Sequence, residues 1–157
     1  MIDHPLVLCG AYGSPYSLKM RAILRYRHIP FRWVLRDSKW DDLPTAPVPI
    51  IPVIVYPNAD GSHGEATVDS SPQIMRLERE YDGRRVVPTD PALAFIDGLL
   101  EDFGDEWLTK AMYHYRWAYD DDIDKAGHLL PTSRRLDLDS DRAQQMYDII
   151  TQRQIGR

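Results

Sequence analysis

The sequence predicts an α/β domain of order β-α-β-β-β-α followed by an all-helical region. Three observations carry this prediction. Short apolar runs alternate with helix-period segments up to Tyr81. A stretch rich in charge, proline and glycine, "DGRRVVPTDPA" (82–92), then breaks the pattern. Beyond it, apolar residues recur only at helical spacing.

"LVLC" (6–9) is a short apolar run suited to a buried strand. From Pro15, the residues Tyr16, Met20, Ile23 and Leu24 fall on one helical face, with Lys19, Arg21 and Arg25 elsewhere around it. Pro30 stops that helix, and "FRWVL" (31–35) alternates as a second strand. The segment 36–50 holds prolines 44, 47 and 49 and is expected to be irregular. "PVIVY" (52–56) is a third strand, ended by the turn "PNADGSHG" (57–64), and "EATVD" (65–69) is its hairpin partner. In "SSPQIMRLEREY", Ser71 is the expected N-cap and Pro72 the first helical residue, with Ile74, Leu77 and Tyr81 on one face. After the linker, Leu93, Ile96, Leu100, Phe103, Trp107 and Ala111 predict one long amphipathic helix reaching Tyr119. "DDDIDKAGHLLPTSRR" is expected to interrupt it, with Asp120–Asp122 as a solvated turn, before a last helix from Ser140 to about Gln154. The aromatic residues 107, 113, 115, 117 and 119 are expected to serve as core or helix contacts, part of them lining an apolar pocket.

Composition narrows the function. The chain has 157 residues, 43% of them hydrophobic, enough for a real core. No apolar run approaches the ~20 residues of a membrane span, and no basic-then-apolar leader opens the sequence. A single cysteine, Cys9, cannot form an internal disulfide and fits a reducing, cytoplasmic setting; in the first strand it reads as core. A net charge of -5 speaks against nucleic acid. Residues 1–36 nevertheless carry six Lys/Arg and one acidic residue, so the first helix is basic: a solvated face, or an attraction for an anion. Hydrolase and dithiol signatures are missing, since Ser14 lacks a G-x-S-x-G setting and no C-x-x-C occurs. "DLDSDR" starts like a calcium loop but puts Arg142 where glycine is needed. The five histidines show no ligand spacing, so no metal is expected.

Three motifs remain: "GSPYSLKMR" at the first strand–helix junction, "IIPVIV" entering the third strand, and Asp69 followed by "SSPQIMRLE", opening the helix after the hairpin. Each has a bland reading, as a capped helix, the start of an edge strand and a second capped helix. Together, in this order and at these separations, they resemble the glutathione transferase superfamily. The resemblance covers about residues 5–81 and extends more softly over 91–119. It implies a thioredoxin-like glutathione-binding domain over 1–81, a linker at 82–92 and a helical domain over 93–157. That family's helical domain runs on through several more helices, so the resemblance also implies an incomplete second domain here.

What the resemblance implies about the site follows residue by residue. In serine-type members the residue at the Ser14 position holds the glutathione thiolate, with Tyr12, Tyr16 and Ser17 as rivals for that role. Pro52 is expected to follow a cis bond that turns the Ile51 backbone toward the ligand. Asp69 suits an α-ammonium and Ser70 a carboxylate. For glutathione's glycyl carboxylate, the nearest lysine to Ile50 is Lys39. The implied function is conjugation of glutathione to small apolar electrophiles. The alternative is a non-catalytic module of the same fold that binds peptides or partners. The resemblance further implies a homodimer, with the basic first helix and the helix after the linker facing a symmetry mate.

Overall fold

The computed structural model describes residues 4–37 and 42–156, which divide into two compact units, one ending at Val87 and the other beginning at Pro88. The first unit runs β1 (Leu6–Gly10), α1 (Pro15–Tyr26), β2 (Phe31–Leu35), β3 (Val53–Pro57), β4 (His63–Val68) and α2 (Ser70–Glu80). The order is the β-α-β-β-β-α expected from the sequence.

The sheet order is β2-β1-β3-β4. β2 pairs parallel to β1, while β3 and β4 join antiparallel. β1 is central and buried along its whole length, which explains an apolar run without alternation. On one face of the sheet, Leu6, Leu8, Ile54 and Tyr56 pack against Met20 and Leu24 of α1 and Ile74 and Leu77 of α2. On the other face, Val7, Cys9, Val34, Val53 and Val55 meet Leu43 and Ala46 of the proline-rich segment. Cys9 is core, as expected.

α1 starts where proline predicts. Pro15 occupies its first turn and the Ser14 Oγ accepts the Ser17 N–H at 3.2 Å. The start of α2 differs from expectation. The helix begins at Ser70, with Asp69 rather than Ser71 at the N-cap position. Pro72 still falls in the first turn, where a missing N–H leaves no helical bond unmade.

At their far ends the two helices are tied by buried charge. The Arg27 Nη1 approaches the Glu78 Oε1 to 3.0 Å, both side chains essentially solvent-free. The contact is ionic and lacks directed hydrogen-bond geometry. Arg27 also donates to the carbonyls of Tyr81 and Gly83, while Glu78 takes the Val86 N–H and pairs with Arg85.

The second unit is all helical: α3 (Pro91–Asp102), a π-helical segment (Phe103–Leu108), α4 (Thr109–Trp117), α5 (Asp120–Thr132) and α6 (Ser140–Ile155). Two expectations change. The single helix to Tyr119 carries a π-helical segment inside it. Residues 120–132 form a helix rather than an interruption, and Asp120, Asp121 and Asp122 are its first turn. Three carboxylates are favourable there, at the positive end of the helix, as they would not be at a C-terminus. α5 and α6 approach closely at Gly127, where a Cβ would come within 2.5 Å of the Tyr147 ring. Of the five aromatics expected as contacts, Trp117 is buried, whereas Trp107, Tyr113, Tyr115 and Tyr119 are exposed.

Candidate active site

The first corner is the turn Ala11–Ser14, closed by the Ser14 N–H donating to the Ala11 carbonyl at 3.2 Å. As N-cap, Ser14 uses an oxygen lone pair toward Ser17, which leaves its hydroxyl hydrogen to donate elsewhere. Ser17 is placed differently. It is fully buried and its Oγ accepts the Ala11 N–H at 3.3 Å, latching the turn from beneath. Gly10 makes room for that latch: a Cβ there would sit 2.5 Å from the Ser17 Oγ and 2.9 Å from the Trp33 ring. Tyr12 is exposed, and its ring packs on Trp33 (centroids 5.6 Å apart) with the Arg21 guanidinium against both rings. Tyr16 is half-buried in the first turn of α1.

The second corner precedes β3. The Ile51–Pro52 bond is cis, as the motif implies. Beside it lies a basic residue that sequence reasoning missed. Arg36 donates from Nη1 to the Ile50 carbonyl at 3.2 Å, with Asp37 3.6 Å from its Nε. The usable signal was strand register: Gly10 pairs with Leu35, so the residue after β2 must arrive beside the end of β1. Lys39, the candidate from sequence, lies outside the described residues. A cleft of about 370 Å³ reaches from Arg36 and Pro49 over Cys9 and Val53, on the sheet face away from α1.

The third corner joins β4 to α2. Asp69 sits at φ 73° and ψ 117°, left-handed backbone that a non-glycine residue adopts only when its surroundings impose it. Its side chain makes no cap hydrogen bond. Asp69 is exposed, and Ser70 beside it is buried.

Register brings the three corners together. Cys9 pairs with Val53, and Val53 with Val68, so these residues form one row across β1, β3 and β4. The next residues outward are Gly10, Pro52 and Asp69, each one step from its corner. Ser14, Ile51, Pro52, Asp69 and Ser70 therefore gather at one end of the sheet, with the N-termini of α1 and α2. The positive end of α1 has no acidic residue at its cap or in its first turn and is available to an anion, whereas α2 carries the Asp69 carboxylate at its N-cap position and none in its first turn.

Residues 8–85 match the family model of the glutathione S-transferase N-terminal domain. The chain belongs to the glutathione S-transferase superfamily. No curated protein matches it in sequence. Among solved structures it is similar to a glutathione S-transferase from Methylobacterium radiotolerans in complex with glutathione sulfonate. The identity is 20% and the TM-score 0.44, with 97% of this chain and 62% of that one covered. This chain thus spans less than two thirds of that protein's length. A thioredoxin-like domain followed by an all-α unit is the fold expected from the motifs. Among the described residues no group of three or more His, Cys, Asp and Glu side chains is arranged to hold a metal ion, and no helix is long and apolar enough to cross a membrane.

Proposed function

We propose that the chain binds glutathione at this sheet end and conjugates its thiolate to small apolar electrophiles. The observation that supports the reading is the row Cys9–Val53–Val68, whose register brings two helix N-termini and the cis-proline corner to the same end of the sheet. Glutathione is an extended molecule with a thiol at its centre and a carboxylate at either end, and each group has a partner here. The thiolate accepts a hydrogen bond from the Ser14 hydroxyl and lies at the positive end of α1. The Ile51 backbone pairs with the cysteinyl residue like an added strand. At the γ-glutamyl end, Ser70 and the first N–H groups of α2 suit the carboxylate, and Asp69 suits the ammonium. Arg36, already at the Ile50 carbonyl, supplies the cation for the glycyl carboxylate.

Chemistry then needs only a lowered thiol pKa. A drop of ~2 units from ~8.5 requires about 2.7 kcal/mol of differential stabilisation, within reach of a hydroxyl donor plus a helix terminus. The thiolate sulfur attacks the electrophilic carbon, a C–S bond forms, and the displaced group leaves with its electron pair. In this reading the protein is a cytoplasmic homodimer. α3 supports the dimer, since it has no buried residue and exposes Leu93, Phe95, Ile96, Leu99 and Leu100, an apolar surface of the kind that marks an interface.

Titration with glutathione, followed by conjugation to 1-chloro-2,4-dinitrobenzene, tests the reading. Saturable binding in the millimolar range or tighter and thioether formation above the uncatalysed rate are expected. Absence of both overturns it.

A further inference from the structure

Gln73 is a polar residue of α2 that this chemistry leaves unused. It is 2% exposed, beside Ile74 in the core. An amide in such a place is costly unless bonded, and its Oε1 has no hydrogen-bond partner. The other half of the amide is fully engaged. Nε2 donates to the Thr67 carbonyl at 2.8 Å and approaches the Thr67 Oγ1 at 3.3 Å. The backbone N–H of Gln73 donates to the Asp69 carbonyl at 3.2 Å. One residue thus holds the chain on both sides of Val68.

What lies between those bonds is the strained corner. Asp69 at φ 73° persists only if its neighbours over-determine it. Thr67 is itself anchored, its Oγ1 donating to the Ile54 carbonyl at 3.3 Å on β3. A continuous path therefore runs from the sheet at Ile54 through Thr67 and the Gln73 amide to the first turn of α2. An apolar side chain of the same size would fill the space and remove the orphan Oε1, at the cost of the donor to the Thr67 carbonyl. The amide's distinctive effect is to fix the corner.

Resting on the reading that glutathione is the ligand, we propose that Gln73 is a positioning residue for its γ-glutamyl end. The amide holds the Thr67–Ser70 corner so that the Asp69 carboxylate and the N–H groups of α2 stay aimed at the ligand's ammonium and carboxylate. It touches neither the ligand nor the thiol.

Gln73→Met in the full chain tests this, because methionine matches the volume without a donor. Glutathione Kd should rise roughly 3- to 10-fold, the range of one net hydrogen bond. The maximal conjugation rate and the pH midpoint of the bound thiol should stay at wild-type values. The melting temperature should change little, since the orphan Oε1 that is removed offsets the donor that the Thr67 carbonyl loses. Cysteinylglycine, which lacks the γ-glutamyl residue, should bind wild type and Gln73→Met equally. If Gln73→Met does not fold, Gln73→Asn, too short to reach Thr67, carries the same comparison. An unchanged glutathione Kd in the folded variant overturns the proposal while leaving glutathione binding in place. Equal weakening toward cysteinylglycine overturns it too, as a general packing loss. Wild type failing to bind glutathione overturns the reading beneath it and the proposal together.

Discussion

Replacing Ser14 tests the proposed donation to a thiolate against its observed role, capping α1. Ser14→Ala loses both: the Oγ that accepts the Ser17 N–H at 3.2 Å and the hydroxyl hydrogen. The cap is worth about 1 kcal/mol of stability. A hydrogen bond to a charged group is worth about 1.5–3 kcal/mol, so conjugation should fall roughly 10- to 150-fold. The helix terminus, left in place, contributes only about 0.3–1 kcal/mol toward the anion, so the thiol midpoint should rise by about 1–2 pH units. Ser14→Asp is the sharper variant. Aspartate caps a helix as well as serine, so stability should hold, but a carboxylate cannot donate and repels the thiolate. Conjugation should fall below that of Ser14→Ala. The assay is initial rate against pH for the three proteins, with melting curves alongside. If Ser14→Asp keeps wild-type activity, or Ser14→Ala keeps the wild-type midpoint, the serine is a helix cap and no more.

Three further outcomes follow from packing and charge. Glu78→Leu strands the Arg27 guanidinium without its buried counter-charge and should lose about 3–5 kcal/mol in urea unfolding; adding Arg27→Met should recover most of it. Full additivity of the two losses would show that the pair is not coupled. Gly10→Ala drives a methyl into the Ser17 Oγ and Trp33 and should cost about 1–3 kcal/mol, so a wild-type melting temperature would refute the latch beneath the turn. Burial pushes the Tyr81 phenol up to about 12 and shifts the Tyr56 phenol in the same direction. Both rings are therefore held neutral by the fold. Their contribution is complete below pH ~10, the unfolded value, and is lost as pH rises toward the folded values. The Tyr56 hydroxyl also has no hydrogen-bond partner, so Tyr56→Phe should match or exceed wild-type stability at pH 8 and lose less by pH 11 in urea titrations. A steeper alkaline loss in Tyr56→Phe would refute this.

The elements legible from sequence are those set by their own residues. β1 is an unbroken apolar run because both its faces are covered, and α1 is announced by Ser14-Pro15 and a clean helical stripe. Where pairing or backbone geometry decides, local signals mislead. Ser71-Pro72 looks like a cap, yet β4 pairs out to Val68 and the chain turns at Asp69, so the helix has already begun at Ser70. The break between α4 and α5 carries no proline or glycine; it lies at Tyr119, extended at φ -120° and ψ 142°, and three aspartates then open a helix instead of closing one. The π-helical segment at Phe103–Leu108 hides for the same reason, since apolar residues three or four apart look alike whether or not the winding widens. The site divides the same way. Its candidate members could be named one by one because each corner carries its own short motif, and the resemblance attaches a role to each. Arg36 and Gln73 could not, because an arginine at a strand end and a glutamine in a helix acquire meaning only from what the register sets opposite them. Three residues that look like plain sheet filler, Cys9, Val53 and Val68, fix where the three corners meet. A one-residue slip of β4 on β3 would turn its side chains to the opposite face and carry Asp69 out of line with Pro52, with every motif in the sequence intact.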